Sequence, residues 1–505
     1  MEKTGHLHNM MNDINPEYKG NFRKPFRPKI HFAPQKGWMN DPNGLIYYNK
    51  EYHLFYQHIP DRTDHNGSLH WGHAKSKDLF NWEHLPIALR PDQNGDIWSG
   101  CIIVDNMNSS KLQSGIQKVL VAIFTQNNKD VQEQSLAFSN DCGMSWTLYP
   151  DNPILSNPGL KDFRDPKVFW HPESSHWIMV VAAGHCVQIY KSQNLLEWDL
   201  MSEFGKGEGC QKGIWECPDL FKLNVDGQKS LKKWVMLVSL LDGSPTNGPG
   251  VQYFIGEFDG QCFMNDNPPE IALWLDYGYD YYAATTFSNF PNSDRRQISI
   301  AWMNNWKYAQ IIPTKNWRGM MTIPREFSLK YIDDRIRLFS IPVFERRKLI
   351  NKMIKIENQK ISSSKKLCLV KNKINTPYEL KINLKNNTAT EFGIIFKNDL
   401  SECVILKYNY NESCLTIDRN KSGLTDFNSD FAKKENSAPL VISNKELSIN
   451  IIVDVSSIEV FAENGQIVLT NLVFPTKPYD NIYVYTMDGE IQITQCSISE
   501  FSQLM

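Results

Sequence analysis

Three short stretches place acids in company that could do chemistry. They read Trp38-Met39-Asn40-Asp41-Pro42-Asn43-Gly44, Phe163-Arg164-Asp165-Pro166 and Trp215-Glu216-Cys217-Pro218-Asp219. An Asp among Asn, Pro and Gly is most often a turn former, and an adjacent Arg and Asp most often make a surface ion pair. Here, however, Asp41 is flanked by Trp38 and followed by a strand, and Pro166 locks the backbone beside Asp165 with strand-like residues on both sides. Glu216, between Trp215 and Cys217, reads as a poorly solvated carboxyl suited to hold a proton. An ionised and a protonated carboxyl on either side of an acetal are what glycoside hydrolysis requires. The 14 Trp and 20 Tyr supply flat faces on which sugar rings stack, although many must serve as ordinary core.

Acids this far apart need a scaffold that returns the chain repeatedly to one place. Strand-like segments rich in β-branched and aromatic residues recur at 53–58, 119–125, 177–182, 234–240 and 298–303, about 60 residues apart. Three of them are followed by a polar turn and a Trp: Ser76-Lys-Asp78-Leu79-Phe-Asn-Trp82, Ser139-Asn-Asp141-Cys-Gly-Met-Ser-Trp146 and Ser192-Gln-Asn194-Leu195-Leu-Glu-Trp198. Five such units predict a five-bladed β-propeller whose axis gathers the acids. Every Trp lies at or before Trp317, a sharp shift in composition. Beyond it, period-2 segments and an Asn464-Gly465 hairpin signal predict an antiparallel β-sandwich. The chain therefore reads as all-β: a flexible N-terminal segment over 1–24, the propeller over 25–340, a linker over 341–355 and the sandwich over 356–505.

Composition narrows the function. With 54 Lys+Arg against 56 Asp+Glu over 505 residues, no basic stripe is available for nucleic acid or for a membrane surface. No apolar run reaches the length of a bilayer span. The ten cysteines show no CxxC pair, so neither a zinc ribbon nor a disulfide framework is expected. His65, His70 and His73 do not form a metal motif, because strand alternation sends His70 and His73 to opposite faces. Asp92-Gln93-Asn94-Gly95-Asp96 lacks the glutamate of a calcium loop and reads as a turn. No metal and no cofactor are expected.

The three acidic stretches resemble the signatures of glycoside hydrolase family 32, the family of invertases, levanases and fructan β-fructosidases. Secondary likenesses include His70-Trp71-Gly72-His73-Ala74 and Ile458-Glu459-Val460-Phe461, and the resemblance runs from about Phe26 to the C-terminus. It implies a five-bladed propeller followed by a β-sandwich. It also implies Asp41 as nucleophile, Glu216 as acid and then base, and Asp165 as stabiliser of the transition state. Trp38, Asn40, Gln57, Trp98, Ser99, Arg164 and Trp302 would bind the terminal fructose. Retention follows from the covalent intermediate, with a carboxyl separation of about 5–5.5 Å.

Two positions depart from the family pattern. Trp98-Ser99-Gly100-Cys101 stands where Phe-Ser-Gly-Ser is usual, and Asn66-Gly67 where Trp-Gly is frequent, which would remove an apolar wall. The expected partner is a carbohydrate, sucrose or a fructan, with the oligomeric state open. A fructosyltransferase, or a fructan-binding protein without catalysis, would use the same scaffold. The segment from Met1 to Lys24 has no apolar core of a secretory signal, which favours the cytoplasm unless an upstream leader is missing.

Overall fold

The computed structural model describes residues 25–228, 230–291, 296–363, 366–432 and 435–502; the segment 1–24 lies outside them. Five sheets, antiparallel but for one short strand, follow one another along the chain up to Pro342. Their innermost strands are Gly37–Tyr48, Asp96–Val104, Phe163–His171, Trp215–Asn224 and Tyr282–Thr286. Each touches the next, and the fifth touches the first, so the ring of five blades is closed. Closure is secured where Trp317–Arg318 runs parallel to Gly37 and Trp38, and where Tyr47 N–H donates to Ser288 O at 3.0 Å.

The strand-like segments read from the sequence are the second strands of the five blades, Glu51–Ile59, Leu120–Asn128, His176–Ala183, Lys232–Leu240 and Gln297–Trp302. They are almost continuously buried because neighbouring blades cover both faces. The repeated Ser-to-Trp turns share one geometry. The indole N–H of Trp82, Trp146 and Trp198 donates to the carbonyl three residues earlier, at 3.0, 3.1 and 3.1 Å. Those three carbonyls belong to Leu79, Gly143 and Leu195, all left-handed at φ 70°, 83° and 67°. The turn is thus held by its own indole, which lets Leu stand where Gly would be usual.

The second domain packs a sheet containing Tyr378–Asn386, Glu446–Val453, Ser457–Ala462, Ile467–Leu472 and Glu490–Phe501 onto one containing Glu391–Lys397, Cys403–Asn409, Cys414–Lys421 and Asn481–Thr486. Inward-facing Leu380, Ile394, Leu406, Ile451, Val460 and Ile498 are among the residues of its core. Asn464 and Gly465 form the expected hairpin turn, both at positive φ. The connector is shorter than the predicted 341–355. Ser-Ile-Pro342 still belongs to the last blade, Phe344–Leu349 is a 3-10 turn, and Ile350–Ile356 is already an edge strand of the sandwich, paired with Glu490–Phe501. Its Lys352 and Lys355 are exposed, so its composition resembles a linker although its backbone is paired.

Candidate active site

All five innermost strands carry a bulge at the same level of the axis, where two residues face one on the second strand. The pairs are Asn40-Asp41, Trp98-Ser99, Asp165-Pro166, Cys217-Pro218 and Ala283-Ala284. A bulge re-aims side chains that a regular pleat would send sideways, and it tolerates a Pro that has no N–H for the ladder. This explains why Asp41, Asp165 and Cys217 are each followed by Pro. Asp165, Cys217 and Ala283 sit at φ 64°, 48° and 51°, backbone held in a region that L-residues seldom adopt.

The bulges bring the three predicted acids together. Asp41 Oδ2 accepts from Ser99 Oγ at 2.8 Å and Gln57 Nε2 at 3.4 Å, while among the described residues Oδ1 accepts only from Asn40 Nδ2 at 3.2 Å. Asn40 is itself fixed, donating to Gln57 Oε1 at 2.9 Å and accepting from the Trp38 indole at 2.8 Å. Asp165 Oδ2 accepts from the Cys217 backbone N–H at 3.0 Å, and the Asp165 N–H donates to Thr125 Oγ1 at 2.8 Å. The Cys217 thiol lies 3.6 Å from both Asp41 Oδ2 and Asp165 Oδ2. Burial, reinforced by these carboxylates, pushes that thiol well above its usual range, so it stays a donor between them.

Glu216 is not the apolar-slotted carboxyl that its neighbours suggest. The ring of Trp215 turns away into the core between the third and fourth blades. The carboxyl instead accepts from Arg164 Nε at 3.0 Å on one oxygen and from the Tyr282 hydroxyl on the other. Arg164 is braced in turn by Asp162 at 2.6 Å and Gln132 at 3.1 Å. Burial, and then the charge of Glu216, push Asp41 up to about 6 and raise Asp165 also. Arg164 opposes the rise at Asp165 without cancelling it.

The sequence-selected aromatics divide. Trp38 and Trp302 are closed to solvent, with ring centroids 5.9 Å apart, and form a layer behind the pocket surface. Trp98 is half-buried beside that layer. Trp306 joins it at 4.7 Å from Trp302 and 6.0 Å from Trp38, and His65 packs on Trp38 at 5.5 Å. Aromatic surface therefore stands next to Asn66-Gly67, where the sequence suggested that a wall was lost. Tyr282, Trp306 and Thr125 were missed. The repeat spacing places an inner strand ahead of 298–303, but nothing local marks which of Tyr277, Tyr279, Tyr281 and Tyr282 turns to the axis.

Among the described residues no group of His, Cys, Asp and Glu is arranged to hold a metal. The arrangement offers three carboxyls, one guanidinium, a thiol and a phenol around one spot, fit for acid–base and nucleophilic work on a polyol.

Comparison with known proteins agrees with this geometry. Residues 31–342 match the glycosyl hydrolases family 32 N-terminal domain, and residues 346–500 match the glycosyl hydrolases family 32 C-terminal domain. The chain is 43% identical over 479 residues to a levanase of Bacillus subtilis, covering 94% of this chain and 70% of that one. An exo-inulinase of Aspergillus awamori, solved as a crystal structure, superposes with a TM-score of 0.88 at 34% identity, over 96% of this chain and all of that one. A fructofuranosidase of Schwanniomyces occidentalis, solved with fructosylnystose, gives 0.87 at 33% identity, over 94% of this chain and 98% of that one. With both domains matched over nearly the whole described chain, the protein belongs to the glycosyl hydrolases of family 32.

Proposed function

We propose that the chain is a retaining β-fructosidase that releases terminal β-D-fructofuranosyl units from sucrose and from fructans such as levan and inulin. The observation that carries this reading is the convergence of Asp41, Asp165 and Glu216, from three different blades, around one thiol at the propeller axis. The names of the relatives, levanase, exo-inulinase and invertase, support the substrate class.

In this reading Asp41 attacks the anomeric carbon through Oδ1, the oxygen with the single contact, while Ser99, Gln57 and Cys217 hold Oδ2. Glu216 gives its proton to the departing oxygen and later takes one from water. The Tyr282 hydroxyl can turn from donor to acceptor as that proton comes and goes. Asp165, with Arg164 beside it, receives fructosyl hydroxyls and stabilises the positive charge that develops on the ring. Asn40 and Trp98 contact the sugar, and Trp38 and Trp302 support it from behind.

A panel of sucrose, raffinose, inulin and levan tests the reading. Fructose is the expected main product from at least two of them, appearing first as the β-furanose in a freshly recorded NMR spectrum. Long oligomers alone would overturn exo attack, and an inverted product would overturn the covalent intermediate. Oligosaccharides accumulating at high sucrose would show a transferase, which partitions the same intermediate to a sugar instead of water.

A further inference from the structure

Tyr282 and Trp306 both hang from segments that the sandwich holds. Residues 276–280, which lead into the innermost strand Tyr282–Thr286, run beside the sandwich strand Ile467–Leu472. Tyr277 N–H donates to Val468 O at 2.8 Å and Asp280 N–H to Thr470 O at 3.1 Å. Between them Gly278 approaches so closely that a Cβ would lie 2.0 Å from Thr470 O. The loop 303–309, which carries Trp306, is anchored by Tyr308, and Asn305 Nδ2 ties it to Tyr279 O at 2.7 Å.

One buried cation joins the two segments. Arg419, on the sandwich strand Cys414–Lys421, donates from Nη1 to Asp280 Oδ2 at 2.6 Å and to Leu472 O at 2.9 Å, and from Nη2 to the Tyr308 hydroxyl at 2.9 Å. The Tyr308 hydroxyl completes the triangle by donating to Asp280 Oδ1 at 2.6 Å. The guanidinium lies 4.0 Å from the ring centroid of Phe431 and 4.7 Å from that of Tyr279, and only 1% of Arg419 is exposed. A fully buried Arg whose fork closes on a carboxylate and a phenol from two different segments fixes both at once.

We propose that Arg419 is a positioning residue for the site: by clamping Asp280 and Tyr308 it sets Tyr282 against Glu216 and Trp306 against the aromatic wall. The inference rests on the fructosidase reading only for what the positioning accomplishes. The sandwich thereby takes part in the reaction at a distance, since a displaced Tyr282 leaves one oxygen of Glu216 unheld and a displaced Trp306 loosens the pocket.

The test compares the full chain with Arg419→Met and, in case that variant does not fold, with Tyr308→Phe, which keeps the ring and removes the hydroxyl common to both contacts. Arg346→Met serves as control, because Arg346 makes a buried ion pair with Glu379 at 2.9 Å at another point of the domain junction. Hydrogen exchange read by mass spectrometry is expected to quicken in 276–286 and 303–309 of the Arg419 and Tyr308 variants and to be unchanged there in the control. On sucrose, kcat/KM is expected to fall by about 10- to 100-fold, as for small misplacements of a reacting group. An activated aryl β-fructofuranoside should lose less, because its leaving group needs Glu216 less, and Arg419→Lys should restore part of the difference. Equal losses on both substrates, or exchange that rises over the whole sandwich instead of the two segments, would overturn the positioning role. If the wild-type chain turned over no fructoside, the fructosidase reading would fall, and the exchange pattern would still decide whether Arg419 holds these segments.

Discussion

Two of the buried clusters of charge, one at the propeller axis and one where the propeller meets the sandwich, are built on opposite terms. At the junction, Arg325 of the last blade meets Asp276 at 2.9 Å, Glu459 of the sandwich and Thr470 Oγ1 at 2.5 Å. His31 bridges Asp454 and Glu459, 2.7 Å from each. Burial alone would push the His31 imidazole down, but its two carboxylate partners outweigh this and raise it to about 9. Despite the same burial, Arg325 and His31 hold Glu459 below its usual range, and His31 does so for Asp454. At the axis three carboxyls share one guanidinium, and both buried Asp are pushed up. The junction sets two cations against three carboxylates so that every carboxylate has a cation beside it; the axis sets one against three, an anionic excess that a substrate, with its hydroxyls and developing positive charge, can satisfy.

Removing the acids is the largest blow to the axis. Asp41→Asn is expected to abolish turnover on every fructoside, because an amide cannot form the ester intermediate. Glu216→Gln should cost about 10²- to 10⁴-fold on sucrose, and less on donors whose leaving group departs unprotonated. Azide should partly restore the Glu216 variant, since this anion attacks the fructosyl-enzyme without a base, and should not restore Asp165→Asn. Rescue of Asp165→Asn instead would exchange the roles of the two supporting acids.

The junction should respond in stability. Arg325→Met leaves Asp276 buried without its cation and Glu459 with His31 alone, at a cost of about 3–5 kcal/mol. The lowered midpoint of thermal or urea unfolding measures it, and an unchanged midpoint would mean that the junction does not hold the fold together. His31 adds a pH signature. Its folded value is raised, so its contribution is complete below its ordinary 6.5 and is lost as pH rises through about 9. Wild-type stability should therefore fall between about pH 7 and 9.5, and His31→Gln should flatten that fall.

These two clusters also differ in how far the sequence betrays them. The acids of the axis sit in local signals, each within two residues of a Pro, because a bulge is a local structure with local demands. The second strands of the blades and the indole-held turns were legible for the same reason. Tyr282 lies 66 residues from its partner Glu216, and His31 lies 428 from Glu459. Such pairings are fixed by blade closure and domain docking, so no window of sequence contains them. The strand Ile350–Ile356 escaped for a third reason: an exposed edge strand carries lysines as a linker does, and only its pairing distinguishes the two.

The smallest expected effect is the one that weighs the anionic excess directly. Asp41 has its pKa raised from about 3.8 in the open chain to about 6 in the fold, by burial first and by Glu216 second. The folded state therefore binds more protons than the unfolded one between those values, and stability falls as pH rises through that window. Above about pH 6 the wild-type protein carries the full cost of an ionised, desolvated Asp41; below about pH 4 it carries none. Asn has no charge to desolvate and retains an oxygen to accept from Ser99. Asp41→Asn should then stabilise the fold by about 3 kcal/mol at pH 8 and by nothing measurable near pH 4. Unfolding midpoints of wild type and variant at the two pH values read this difference. A variant less stable than wild type at pH 8 would mean that Asp41 is held by its neighbours at no cost, as the carboxylates of the junction are by their cations.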